Sequence, residues 1–180
     1  MSKIIIGLCG HIASGKGAAA DYLVAKHQGQ MFGFSTPLRQ ILKLLYLPAE
    51  RHNLQDLSTI LRQRFGNDLL AKVLYETVKD YDGQLAVVDG IRRLDDIKYL
   101  KELDNFILVS VEADPKIRYK RLSQRQQNSD DSQKTWEEFL ADEQKETELS
   151  IDGVAKQANL VINNNSSFED FHTQLGQLIS

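Results

Sequence analysis

The sequence predicts an α/β domain: a five-stranded parallel sheet with helices on both faces. Three observations lead to it. Five short apolar runs recur along the chain, at residues 4–9, 30–34, 85–89, 106–111 and 160–162, each with the length of a strand. Stretches of helical patterning separate them, the alternation of βαβ units whose sheet is covered on both sides. Between the first run and the first helix stands Gly10-His-Ile-Ala-Ser-Gly15-Lys16-Gly17, a GxxxxGK spacing in the strand–turn–helix setting that builds a phosphate cradle.

The elements follow in order. Ile4-Ile-Ile-Gly-Leu-Cys9 reads as a buried strand, and the alanine-rich segment 16–27 as a helix. Gln30 to Phe34 is a short strand. Thr36-Pro37 then reads as a helix cap followed by proline at the first helical position. A helical region spans about 37–80, with breaks at Pro48 and near Gly66, and Leu54, Leu57, Leu61 and Phe65 recur on what reads as its core face. Leu85-Ala-Val-Val-Asp89 is a buried strand ending in a carboxylate. Leu94 to Leu103 reads as a helix, and Phe106 to Val111 as the next strand. Asp114-Pro115 starts a helix carrying Arg118, Arg121 and Arg125. Beyond the polar stretch 126–134, Trp136, Phe139 and Leu140 mark one apolar helix face. Thr135 with Glu138, and Ser166 with Glu169, have the spacing of capping boxes, and Leu160 to Ile162 is the last strand.

A chain of 180 residues, 42% hydrophobic and 26% charged, fits one globular domain with a real core. No apolar run approaches the roughly 20 residues of a membrane span. Met1-Ser2-Lys3 runs straight into a strand, without the profile of a signal peptide, so a cytoplasmic location is expected. The single Cys9 excludes an internal disulfide, offers no metal-site spacing and reads as packing. A net charge of −3 argues against a nucleic-acid polymer as partner. A monomer or homodimer is expected.

The chemistry gathers at one edge. In a parallel sheet, ligands bind at the C-terminal ends of the strands, and there the chain places the glycine loop, Ser35, Asp89 and Glu112. Gly10, His11, Ala13, Ser14, Gly15, Lys16, Gly17 and Ala18 form the expected nucleotide site. Backbone N–H groups and the helix N-terminus face the phosphates, and Lys16 reaches the outer ones. The Ser or Thr that commonly follows the lysine as a Mg²⁺ ligand is absent, replaced by Gly17 and then Ala18. Mg²⁺ would rely on phosphate oxygens, waters and a carboxylate, with Asp89 acting through water and Ser14 contacting phosphate. Arg118, Arg121 and Arg125 recur at i, i+3 and i+7, a face suited to a transferring phosphoryl group. Arg121 and Arg125 are read as catalytic with Lys16 and Asp89, and Arg121 also as a nucleotide contact. Ser35, Arg39, Arg62, Arg92, Arg93 and Arg118 are read as acceptor contacts. The segment around 122–135 reads as a lid that shields the reaction from water.

These motifs carry a resemblance. The GKG loop and the run Asp89-Gly-Ile-Arg-Arg93 resemble those of adenylate kinase and the nucleoside-monophosphate kinase group. Phe32-Gly-Phe-Ser-Thr-Pro-Leu-Arg39 looks like the opening of the acceptor region in deoxynucleotide monophosphate kinases. Arg121-Leu-Ser-Gln-Arg125, the acidic helix and Asn159-Leu-Val-Ile-Asn-Asn164 are also similar to dephospho-coenzyme A kinase. The resemblance implies a P-loop NTPase fold over residues 1–180, with an acceptor-binding insert at about 35–80. It also implies ATP as phosphoryl donor, Mg²⁺ as cofactor and a nucleoside or deoxynucleoside monophosphate as acceptor. No carboxylate follows the second strand until Glu50, which favours a monophosphate over a sugar hydroxyl that needs a general base. Dephospho-coenzyme A, with Asp89 as base, and a regulatory ATPase without acceptor are the alternatives.

Overall fold

Runs of Ile, Val and Leu that cannot stay in water pair into a single parallel sheet, seen here in a computed structural model that describes residues 3–124, 134–144 and 146–179. Its strands are β1 (Ile4–Cys9), β2 (Gln30–Gly33), β3 (Leu85–Asp89), β4 (Phe106–Glu112) and β5 (Leu160–Asn163), in the order β2-β3-β1-β4-β5. β1 lies at the centre, with Ile5 level with Ala86 on one side and Phe106 on the other. The chain first moves outward from β1 to β2, then returns through β3 and crosses to β4. The loop after β1 therefore sits where the strand order reverses, the place such sheets reserve for ligands.

Alternation along the strands supplies two cores. Ile5, Cys9, Ala86, Val88 and Leu108 face one side, covered by Leu38 of α2 (Ser35–Leu44), Leu70 and Leu74 of α4 (Leu69–Lys79), and Val154 of α8 (Glu146–Ala155). Ile6, Leu8, Val87, Val109 and Val111 face the other, under Ala19, Ala20 and Leu23 of α1 (Lys16–His27) and Phe171 and Leu175 of α9 (Phe168–Gly176). Each such fully buried aliphatic or aromatic side chain stabilises the fold by roughly 1.5–3 kcal/mol relative to exposure. No helix among the described residues is long and apolar enough to cross a membrane.

The helical excursion between β2 and β3 breaks where expected, into α2, α3 (Arg51–Phe65) and α4. Its details differ from the sequence reading. α2 starts at Ser35, capped by the backbone of Phe34, so Thr36 is not the cap and Pro37 lies inside the first turn, where no N–H partner is required. Leu54, Leu57 and Leu61 pack against the core, but Phe65, 62% exposed, does not. A helix over Leu94 to Leu103 was expected. The chain instead forms the short α5 (Leu94–Ile97) and a 3₁₀ turn at Leu100–Glu102. Asp96 fixes the start of α5: its carboxylate turns back to accept from the N–H groups of Arg92 and Arg93, at 3.0 Å each, as the third residue of a capping box.

Caps decide two other boundaries. Thr135 and Glu138 form the expected box at the start of α7 (Trp136–Glu143). α9 is capped one residue later than the Ser166–Glu169 spacing suggests, by Ser167 Oγ accepting from Asp170 N–H at 3.2 Å. On α7, Phe139 is buried and Trp136 stacks on it at 5.5 Å, whereas Leu140 is 42% exposed and lies off the apolar face.

The residue that ties α7 down is Arg118 of α6 (Pro115–Gln124). Read from the sequence as an acceptor contact, it is buried to 4% exposure, with Nη1 and Nη2 donating to Glu143 at 2.8 and 2.5 Å and Nε donating to Ala113 O at 2.9 Å. Its guanidinium carbon also lies 5.5 Å from the Phe139 ring centre. These contacts take up three of the five guanidinium N–H groups. Arg118→Ala strands the Glu143 carboxylate at a desolvated position, and we expect a loss of about 3–5 kcal/mol in urea unfolding. Wild-type stability in that variant would show that the pair is not a structural joint.

Candidate functional site

The loop after β1 is shaped by two glycines. Gly10 and Gly15 take φ of 140° and 113°, a region that side chains disfavour. Space forbids a side chain as well: a Cβ on Gly10 would lie 2.3 Å from Val111 O, and one on Gly15 would lie 2.2 Å from Asn164 Nδ2. Ala13 is also left-handed, at φ 58°, strain of the kind found where backbone amides are turned toward a ligand. α1 begins directly after the loop at Lys16, so the N–H groups of its first turn open into the same space. The Lys16 ammonium lies across the loop, donating to the carbonyls of Gly10 at 2.7 Å and His11 at 2.9 Å. Ser14 is 1% exposed, and its Oγ has no hydrogen-bond partner. Gly17 and Ala18 are exposed at the start of the helix. His11 does not simply face solvent, as it could from sequence alone: its Nε2 lies 2.8 Å from Asp152 Oδ1 on α8.

On the β3 side, Asp89 ends its strand with Oδ1 buried and unpartnered. Gly90, at φ 88°, turns the chain away, and Ile91 plugs the core, leaving Arg92 exposed and Arg93 half-buried on the turn that Asp96 holds. The opposite oxygen of Asp96 is 3.5 Å from Arg62 Nη2. Arg62 also donates through Nε to Ser58 Oγ at 3.3 Å, and through Nη1 to Asn67 O. Arg62, read from the sequence as an acceptor contact, thereby joins α3 to the turn that presents Arg92 and Arg93. Arg39 is exposed and donates to Ala49 O at 3.3 Å, and Ser35 is exposed at the start of α2.

On the β4 side, Arg121 donates through Nη2 to Asn164 O at 2.9 Å and to Asn164 Oδ1 at 3.2 Å, while Nη1 is buried without a partner. Burial without an acidic partner pulls the Arg121 guanidinium below its ordinary pKa. A cavity of about 270 Å³ lies beside the loop, lined by Gly10, His11, Ser14, Glu112, Arg118 and Asp152 among others. Cys9, under the loop, is fully buried, and burial pushes its thiol up to about 11, which leaves it packing rather than chemistry. Among the described residues no group of three or more His, Cys, Asp or Glu side chains could hold a metal. Of the carboxylates at this edge, Glu112 and Asp152 line the cavity beside the loop, and Asp89 has a buried oxygen without a partner that could meet a Mg²⁺. Arg125 and most of the expected lid lie outside the described residues, and Leu122, at its proposed start, is a buried residue of α6.

The structure thus brings Gly10 to Ala18, Asp89 and Arg121 to one edge and sends Arg118 and Arg62 into ion pairs. It adds Asn164, Asp96 and Asp152, which sequence reading passed over. The signal for Asn164 was faint: an asparagine run directly after a strand, on the edge where the loop already stood.

A family profile described as AAA domain matches residues 6–165. A UPF0200 protein of Saccharolobus islandicus is 32% identical over 94% of this chain and 88% of its own length. Another, from Methanocaldococcus jannaschii, is 27% identical over 98% of this chain and 89% of its own. Among solved structures, shikimate kinase from Bacteroides thetaiotaomicron superposes with a TM-score of 0.65 over 97% of this chain and 96% of that one, at 14% identity. TT1252 from Thermus thermophilus does so with a TM-score of 0.59 over 99% and 97%, at 19% identity. At such identities the structural matches speak for the fold. A central β1 followed by a two-glycine phosphate loop, in a sheet that superposes on kinases over nearly its whole length, is a P-loop kinase fold, and the chain that forms it belongs to the UPF0200 family and carries its AAA domain.

Proposed function

We propose that the protein is a small-molecule kinase that transfers the γ-phosphoryl group of ATP to a nucleoside or deoxynucleoside monophosphate. One observation carries the reading. Of the four buried side-chain polar atoms without a partner among the described residues, three are Ser14 Oγ, Asp89 Oδ1 and Arg121 Nη1. Folding leaves such atoms unpaired at a cost of about 1–3 kcal/mol each, and they gather where a ligand completes them. Two are donors beside the phosphate loop and one is an acceptor across from it, the complement of a polyphosphate with its cation.

The chain's own groups divide the work by position. The amides between Gly10 and Lys16 hold the phosphates, and Lys16 leaves the loop carbonyls to reach the outer ones. Arg121 meets charge that spreads over the phosphoryl oxygens during transfer, with Arg125 assigned the same task. Mg²⁺, when bound, neutralises phosphate charge and fixes the angle of attack; Asp89 would hold it through water, since Gly17 and Ala18 bring no hydroxyl. Ser35, Arg39, Arg92 and Arg93 face the same edge and would grip the acceptor phosphate, the insert of α2 to α4 forming its wall. A monophosphate brings its own anionic nucleophile and needs positioning more than a base. The unpartnered Asp89 oxygen supports dephospho-coenzyme A as a second acceptor, because there it would serve as the base.

ATP consumption with Mg²⁺, measured with ribo- and deoxyribonucleoside monophosphates and with dephospho-coenzyme A, separates the readings. We expect one monophosphate to accelerate turnover, and Lys16→Ala to abolish the gain by roughly 10²-fold or more. Acceleration by dephospho-coenzyme A alone selects the second reading. Turnover that ignores every acceptor contradicts both. Asp89→Asn should raise the Mg²⁺ concentration needed for half-maximal rate; an unchanged Mg²⁺ dependence would make Asp89 a strand end only.

A further inference from the structure

Asn164 follows β5 and is 7% exposed, yet both ends of its side chain are used across the site. Nδ2 donates to the Ser14 carbonyl at 2.7 Å, 150 residues away in sequence. Oδ1 accepts from Arg121 Nη2 at 3.2 Å, and the backbone carbonyl accepts from the same nitrogen at 2.9 Å. Its own N–H donates to Glu112 O at 2.7 Å, which anchors the residue to the end of β4 whatever its side chain. Gly15 packs so closely that even a methyl group there would collide with Nδ2. Each residue it grips ends in a buried donor without a partner, Ser14 Oγ on one side and Arg121 Nη1 on the other. A fold gains nothing from leaving two such donors open beside one bracket unless an acceptor arrives from outside.

We infer that Asn164 is a positioning residue: it brackets Ser14 and Arg121 so that one anionic ligand, the polyphosphate of the nucleotide, engages Ser14 Oγ and Arg121 Nη1 together. The inference rests on the nucleotide reading of the phosphate loop. The bracket joins a backbone element to a side chain from a different helix. Binding at the loop and placement of the Arg121 charge are therefore coupled, and neither is set independently. Asparagine suits the task because one amide supplies a donor and an acceptor in fixed geometry. Aspartate keeps the acceptor for Arg121 but cannot donate to the Ser14 carbonyl, and alanine loses both contacts.

Isothermal titration of the full chain with MgATP tests this in wild type, Asn164→Ala, Asn164→Asp, Arg121→Ala and the Asn164→Ala/Arg121→Ala double variant, with thermal melting alongside. We expect each Asn164 variant to bind MgATP about tenfold more weakly, the effect of one charge-assisted hydrogen bond. The double variant should lose less than the product of the two single losses, because Asn164 works partly through Arg121. A merely structural asparagine would lower the melting temperature while leaving affinity within twofold, or would give losses that multiply; either result overturns the inference. Wild-type protein that binds no MgATP would overturn the nucleotide reading beneath it.

Discussion

At Gly10 and Gly15 the chain passes so close to Val111 O and Asn164 Nδ2 that no side chain fits, and the arrangement of the candidate site depends on those two contacts. They press the loop against the end of β4 and the segment after β5, while the Ser14 N–H closes a turn onto His11 O at 3.2 Å. The helix that follows then starts at Lys16 with its N–H groups aimed into the same space. A larger residue at either glycine would push the loop off the sheet and separate the cradle from Arg121. The central position of β1 makes this possible, since a loop on an edge strand would have a neighbour on one side only.

The arginines show how the fold distributes charge. Arg118 and Arg62 are paired with Glu143 and Asp96, and both pairs hold elements together: α6 with α7, and α3 with the turn after β3. Among the described residues Arg121 is held by an asparagine and by no acid, an arrangement that orients a cation without neutralising it. A guanidinium already matched to a carboxylate contributes little to an incoming phosphate, whereas one held by an amide keeps its full charge for it. By the same logic Asp96 supports the acceptor edge indirectly. Its carboxylate fixes the backbone of Arg92 and Arg93 and leaves their side chains to the exposed surface.

Much of this was legible in the residues alone. The strands were, because runs such as Leu85-Ala-Val-Val-Asp89 are apolar along both faces and only a buried parallel strand accommodates that. The phosphate loop was, because its glycines stand between a strand and a helix. The pairs were not. Glu143 lies 25 residues from Arg118, and no periodicity links them, so a basic helix face read as a phosphate site. Phe65 has core spacing but is the last residue of α3 and stays exposed. The segment expected as one helix over 94–103 forms α5 and a separate 3₁₀ turn, and the spacing shows only the start, which Asp96 caps.

Transfer to a second small molecule, rather than nucleotide binding, is what makes the protein a kinase. Incubation with ATP labelled in the γ-phosphoryl group, together with the accelerating monophosphate, tests this through where the label goes. We expect label in a nucleoside diphosphate, formed one for one with ADP. Label released only as inorganic phosphate, with every acceptor left unphosphorylated, would contradict it and make the protein an ATPase.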